Sequence, residues 1–404
     1  MSRAVAESGL PAFPLSFDDT AVAFSHKSDH ELRLSHFIFS LTKNPGLVRI
    51  LSQGARWAMA IGLPIKPLIK ATVYRQFCGG ENRQEYERVI AMLARARIGT
   101  ILDYSVEGVE SEVGFDDFMQ ALLKIIAEAR ANPNIPCVSL KMTAIGAFDI
   151  YEKVTAGAKL NTAEAAAWQR INERLETIGQ AAAEACKPLY VDAEESWIQG
   201  AIDDLVETKM ATFNRPRANI FTTLQFYHTG RVDYFKTLIA RARREGWCLG
   251  VKFVRGAYME KERERAHAQG YRSPIHPHKA ATDGDYDHAL QLFADNIDVV
   301  ELCSGTHNEQ SCLLLARLMA ERGISNNHPH VYFSQLFGMS DHISFNLARQ
   351  GYNVSKYLPF GPVESTLPYL VRRAEENTAI AGQMSKELQI IVQERKRRRA
   401  ARRR

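Results

Sequence analysis

The 404 residues are 46% hydrophobic and 24% charged, a globular profile long enough for one large domain with additions or for two ordinary ones. No stretch approaches the roughly 18 consecutive apolar residues of a membrane span, and the opening Met1 to Leu10 has neither the apolar core of a secretory signal nor the Arg-rich, acid-free character of a transit peptide. The net charge of +5 belongs to one end: residues 395–404 hold eight basic residues, and removing them takes the balance to −3.

Residues 1–97 are predicted to be a helical arm. Ser28 lies three positions before Glu31, the spacing of a capping box. Tyr86, Val89, Ile90 and Leu93 repeat at helical intervals, and Pro64 and Pro67 break the segment before them. From residue 98 short β-branched or apolar runs alternate with helical stretches. The runs are Ile98–Tyr104, Cys137–Thr143, Leu189–Ala193, Ile220–Tyr227, Cys248–Val254, Val299–Ser304, His330–Phe337 and Asn353–Leu358. Helices are predicted over Phe115–Ala131, Thr162–Cys186, Val232–Glu245, Ala280–Ala294, Glu309–Arg322 and His342–Gln350, and a helix bearing Arg372 and Arg373 follows the last run. Eight runs in a span of this length predict an α/β protein, a (β/α)8 TIM-type barrel over 98–380. An open doubly wound sheet is the alternative, but no Gly-rich opening turn accompanies it. Residues 381–404 form a final helix and the basic tail, which reads as a disordered, solvated block. Attraction of that tail to an anionic membrane ranks second. Nucleic acid ranks third, because no reading module precedes the tail.

Six cysteines occur and none forms a Cys-x-x-Cys pair, so a reducing compartment and no structural zinc are expected. No His, Cys, Asp and Glu set has metal spacing, and no Walker loop, Gly-x-Ser-x-Gly or Gly-x-Gly-x-x-Gly appears.

In such a barrel the carboxyl ends of the strands face the active site. These ends carry Asp103, Lys141, Asp192, Gln225, Lys252 with Arg255, Thr306 with His307, Gln335 with Leu336, and Lys356 with Tyr357. A lysine in an apolar strand needs an anionic or carbonyl partner. For Lys141 that partner is a bound anion or, more plainly, Asp192 in a buried ion pair; Lys252 poses the same question. Arg255 precedes Gly256 and Ala257, small enough for a phosphate or ring to approach, although a bare strand-to-loop turn fits as well. Gln225 and His307 alone are equally compatible with structural roles. Adjacent guanidinium forks at Arg372 and Arg373 suit a carboxylate. Pattern alone therefore gives a barrel enzyme for a small anion, with the reaction open.

Several segments taken in series carry a resemblance: Ser-Leu-Lys141-Met-Thr-Ala, Val-Asp192-Ala-Glu-Glu, Val-Lys252-Phe-Val-Arg255-Gly-Ala-Tyr258, Gly-Thr306-His307-Asn, Tyr357-Leu-Pro-Phe-Gly-Pro and Arg372-Arg373-Ala-Glu-Glu376-Asn. Together they resemble the proline dehydrogenase family from about residue 17 to about 380. Phe17-Asp-Asp-Thr and Phe77-Cys-Gly-Gly-Glu are similar to its monofunctional branch.

The resemblance implies a distorted (β/α)8 barrel, FAD as cofactor, oxidation of L-proline to Δ1-pyrroline-5-carboxylate, and a membrane quinone as electron acceptor. It implies that Lys141, Arg372 and Arg373 clamp the substrate carboxylate and that Tyr258, Leu336 and Tyr357 pack around the ring. Gln225, Lys252, Arg255, Gly256, Ala257, Thr306 and His307 would contact FAD, with Asp192 and Lys252 as catalytic residues. It further implies a cytoplasmic location, peripheral at the inner membrane, or a mitochondrial one in a eukaryote. Two positions depart from many bacterial members, which carry arginine at Lys252 and, in some, tryptophan at Met259. The rival readings are a flavin barrel enzyme acting on another small amine and a non-catalytic anion-binding scaffold.

Overall fold

The computed structural model describes residues 15–41, 44–105, 110–379 and 381–403; the predicted leader-free start, Met1 to Leu10, lies outside them. Eight parallel strands close into a barrel in sequence order: β1 (Ile98–Tyr104), β2 (Cys137–Lys141), β3 (Leu189–Asp192), β4 (Ile220–Gln225), β5 (Leu249–Val254), β6 (Val300–Gly305), β7 (Val331–Leu336) and β8 (Val354–Phe360). The closing seam pairs β1 with β8 along its whole length, from Ile98 opposite Val354 to Tyr104 opposite Phe360. Both faces of these strands are buried, the inner face by the barrel filling and the outer by helices, so they read as continuous apolar runs rather than alternating ones.

Differences from the sequence reading are local. The second strand stops at Lys141, because Met142–Ala144 turns as a 3-10 helix whose first carbonyl accepts from the Tyr151 hydroxyl at 2.7 Å. The eighth runs on through Pro359 to Phe360, since the Pro359 carbonyl takes a hydrogen bond from the Gly79 amide at 2.7 Å and Pro359 stays in register with Asp103. The third strand leads into Ser196–Phe213, a helix that the alternation implies but to which the sequence reading gives no bounds. Further helices, Phe148–Thr155 and Met259–Gln269, extend the second and fifth connections. Caps set several helix starts: Asn161 and Glu164 form a capping box before Thr162–Ala185, and Ser111 accepts from the Gly114 amide before Glu112–Ala131.

The N-terminal arm wraps onto the barrel mouth. Ser28 and Glu31 exchange bonds across the predicted capping box, with the Ser28 amide donating to Glu31 at 2.8 Å. A second core, distinct from the main one, joins Phe24, Leu32, Phe39, Tyr74 and Phe77 of the arm to Val363, Leu367, Leu370 and Ile391 of the last two helices, Val363–Ala379 and Ala381–Ala401. Polar ties add to it. The Gln76 amide donates to the Gly338 carbonyl at 2.7 Å, and buried Asp341 takes Lys27 at 3.1 Å and Lys356 at 2.9 Å. A buried charge cluster of this kind needs its full complement, since losing one partner costs about 3–5 kcal/mol.

The basic tail does not follow the disordered reading. Residues 395–401 continue the helix Ala381–Ala401, and Arg398 donates to Asp29, to the Phe24 carbonyl and to the Lys27 carbonyl. Fully buried Glu394 explains this, because it pairs with both Arg397 and Arg398 and accepts from Thr20 at 2.8 Å. All six cysteines are free, four of them buried.

Candidate active site

A strand places alternate side chains on opposite faces, and the register fixes which ones point inward. Ile101, Cys137, Tyr190, Phe221 and Cys303 form an apolar cluster that fills the barrel. Counting in twos toward the carboxyl ends from these positions reaches Asp103, Lys141, Asp192 and Gln225. Pairing across the strands adds Lys252 opposite Thr223 and Cys303, and Tyr357 opposite Ile101. One parity of the sheet therefore carries the apolar filling low down and the charged set at the mouth.

Asp192 is the hub of that set. One carboxylate oxygen pairs with Lys252 Nζ and the other accepts from the Tyr357 hydroxyl at 2.9 Å. The side chains of Lys252 and Asp192 are only 10% and 15% exposed, so this pair is screened little by solvent. The Lys252 ammonium also lies 5.4 Å from the Tyr357 ring centre, within cation–π reach. Tyr357 is shared with a second carboxyl, Asp103, which bonds to Ser105 Oγ. Burial pushes Asp103 upward in pKa, against the pull of the Lys141 charge and these hydrogen bonds.

Lys141 stands in register with Asp192 on the neighbouring strand. Two residues on, Thr143 gives both its amide, at 3.0 Å, and its hydroxyl, at 2.6 Å, to the buried carboxylate of Glu194. The Glu194 carbonyl in turn accepts from Gln225 Nε2 at 2.8 Å. Burial pushes the Glu194 carboxyl up to about 7, although the Thr143 bonds and the Lys141 charge oppose it. The Tyr258 phenol is held far above its usual range by burial first and by Glu194 and Glu195 next, while Arg372 acts the other way. Lys141 and Arg372, 231 positions apart in the chain, thus act on one neighbourhood, that of Glu194 and Tyr258.

The other side of the mouth holds the loop residues. Arg255 is held by Asp283 at 2.6 Å, Thr306 Oγ1 at 2.6 Å and Ser311 Oγ at 3.0 Å, with its guanidinium 4.4 Å from the Tyr286 ring. Gly256 has φ +140°, and a Cβ there would stand 2.4 Å from the Tyr227 ring, so only glycine fits. Ala257 and Met259 are exposed beside it. His307 bonds to Ser340 Oγ at 2.9 Å through Nδ1, while its Nε2 faces the Leu336 amide at 3.5 Å. Burial, then the charges of Lys356 and Arg373, push His307 down to about 3, so the ring is neutral. Arg373 lies 5.4 Å from the Tyr369 ring centre on the helix Val363–Ala379. Leu336 and Tyr357 are paired across β7 and β8, which joins the two sides of the mouth.

Sequence reasoning overlooked Glu194 and the residues that grip Arg255. Glu194 stood inside the Val-Asp192-Ala-Glu-Glu segment without a role, and its signal was an acidic residue directly after a buried strand. Asp283 and Ser311 belong to helices, where nothing in the spacing links them to Arg255.

A closed parallel barrel with converging ionisable groups at the carboxyl ends of its strands defines a (β/α)8-barrel enzyme. The family model described as proline dehydrogenase matches residues 86–386. The chain is 36% identical over 318 residues to the carbapenem antibiotics biosynthesis protein CarD of Pectobacterium carotovorum, covering 79% of this chain and 82% of that one. It is 31% identical to the mitochondrial proline dehydrogenase 1 of Dictyostelium discoideum, covering 94% of this chain and 74% of that one. In fold it is similar to the crystal structure of proline utilization A from Bdellovibrio bacteriovorus inactivated by N-propargylglycine. That TM-score is 0.69 at 21% identity, with 89% of this chain covered but only 38% of the longer one. The chain belongs to the proline dehydrogenase family and is an enzyme of that family.

Proposed function

We propose that this enzyme oxidises L-proline to Δ1-pyrroline-5-carboxylate with FAD and passes the electrons to a membrane quinone. The observation that carries the reading is the hub itself: Asp192 pairs with Lys252, accepts from Tyr357 and stands in register with Lys141, and the Arg372 charge reaches Tyr258. Lys141, Arg372 and Arg373 would hold the carboxylate, the arginines through their forks. A cationic clamp also disfavours a protonated ring amine, because like charges repel. It therefore selects the neutral amine, whose lone pair can drive hydride loss from the adjacent ring carbon. Tyr258, Leu336 and Tyr357 would fix the ring so that this carbon has one approach direction.

The chemistry of the opposite wall fits a flavin. Lys252 and Arg255 are cations, Thr306 and Gln225 are polar, and Gly256 lets the Tyr227 ring pack directly against the backbone of this wall. FAD bound there would supply the hydride acceptor, its N5. Lys252, paired with Asp192, would stabilise the negative charge of a reduced ring. Neutral His307 would contact the cofactor without adding a further cation. Arg255 is already held on three sides by protein, so cofactor contact there would share the guanidinium with Asp283, Thr306 and Ser311.

The quinone acceptor makes peripheral membrane contact part of this reading; among the described residues no helix is long and apolar enough to cross a membrane. Tyr357 would pack where a 4-hydroxyl would sit, so proline is the expected substrate rather than hydroxyproline. The test is direct. The purified protein should be yellow, absorb near ~450 nm in the usual flavin band, and bleach when proline is added without oxygen. A protein that cannot take up FAD, or that binds it and ignores proline, overturns the proposal.

A further inference from the structure

The arm helix Pro45–Ala60 has two apolar faces where a soluble surface helix needs one. Its inner face, with Val48 buried and Ala55 and Met59 packed into the second core, leans on the helix that carries Arg372 and Arg373. Its outer face repeats at 50, 54, 57 and 61, intervals that fall on one side of a helix. Ile50 is 68% exposed, Trp57 65% and Ile61 52%, and a Cβ added at Gly54 would meet nothing within 4 Å. Leu68, 66% exposed, extends the surface beyond the helix. Among the described residues, seven of the eleven large apolar side chains that stand exposed fall between Phe37 and Leu68. Single exposed leucines are ordinary, but a contiguous patch marks an interaction surface.

Charge identifies the partner. Residues 32–80 contain seven Lys and Arg and not one Asp or Glu, in a chain with 46 acidic residues. Lys66 and Lys70 are engaged by Glu81, Glu85 and Glu364, while Arg49 is exposed on the helix itself. A stripe of isoleucine and tryptophan with an exposed arginine beside it, in a segment without a single acid, suits a helix lying in the plane of an anionic lipid surface. We propose that the outer face of residues 45–68 is the surface by which this enzyme rests on an anionic bilayer. Membrane attraction was the second reading of the basic tail, whose helix is docked through Glu394 and Arg398 against the arm. The inference gives a location to the membrane contact in the proposed function, and vesicles without quinone test it separately.

The full-length protein would be sedimented with phosphatidylglycerol vesicles and with phosphatidylcholine vesicles, at low and high salt. Wild type should bind the anionic vesicles at least tenfold more tightly, and salt should weaken that binding. The pair Ile50→Glu and Trp57→Glu should lower vesicle affinity by at least tenfold while leaving the melting temperature and proline-dependent dye reduction in solution unchanged, because both side chains stand in solvent. Arg49→Glu, a milder change, should lower it severalfold. Deletion of 395–404 should leave it within twofold. Wild-type binding by the Glu pair overturns the proposal. So does a wild-type dimer that the Glu pair converts to monomer without any vesicle binding, which would make the face an interface between copies. Loss of vesicle binding with dye reduction intact separates this outcome from any failure of the proline reading.

Discussion

Asp192→Asn tests whether the hub at the barrel mouth works as a unit. Asparagine keeps the shape and an acceptor for the Tyr357 hydroxyl but removes the charge that balances Lys252. Both members of the pair are far less than one-third exposed, so little of the interaction is lost to solvent. Breaking one side of such a pair leaves an uncompensated buried ammonium, and a loss of about 3–5 kcal/mol is the scale expected. Lys252→Met alone should cost a similar amount by stranding the carboxylate. The double variant strands neither, so the two losses should not add, and the coupling should reach about 2 kcal/mol or more. Urea unfolding of the four proteins, with unchanged slopes, gives these values directly. Both single variants should also bind FAD more weakly, and the double variant should not recover flavin reduction, because the cation beside the ring is gone. Additivity within ~0.5 kcal/mol would show that Asp192 and Lys252 do not interact, and would remove the hub from the account.

Three further predictions follow from neighbouring groups. Glu194 has its pKa raised from 4.5 to about 7, so the folded state favours its proton. The stability it contributes is full below the unfolded value and is lost as pH rises through the folded one. Wild type should lose up to about 3 kcal/mol relative to Glu194→Gln between pH 4.5 and 8, and parallel pH–stability curves would contradict this. Gly256→Ala should cost about 1–3 kcal/mol through backbone strain, with a further loss of FAD retention as the Tyr227 ring is displaced; full FAD occupancy on gel filtration would remove Gly256 from the cofactor wall. Tyr357→Ser should shift the ratio of kcat/KM toward 4-hydroxyproline by about tenfold, the scale of one small pocket change, and an unchanged ratio would remove Tyr357 from substrate selection.

The barrel was legible because parallel strands buried on both faces leave continuous apolar runs, and eight such runs survive without any local cue. The bounds of the helix Ser196–Phe213 were not legible. Its buried positions include Gln199, Asp203 and Lys209 as well as Ile202 and Val206, so no clean apolar stripe marks it. The candidate site was readable as a set of charged strand ends, but the partners were not. Lys141 and Lys252 both asked for an anion, and the two are divided over three carboxyls: Lys252 pairs with Asp192, while Lys141, in register with Asp192, also acts on Asp103 and Glu194. That division depends on strand register around a closed barrel, which no spacing in one chain encodes. The tail was misread for a related reason: its arginines look solvated until Glu394, hidden from water, is seen to gather them.

The clamp itself is tested most directly by titrating flavin bleaching with proline and with pyrrolidine, which has the ring but no carboxylate, in wild type and Arg372→Met. The account predicts that Arg372→Met weakens proline binding by about 2–5 kcal/mol, the scale for truncating one member of a buried charge pair. Pyrrolidine, a poor substrate for both proteins, should be almost unaffected. Equal affinity for proline in the two proteins, or equal losses for proline and pyrrolidine, would contradict it.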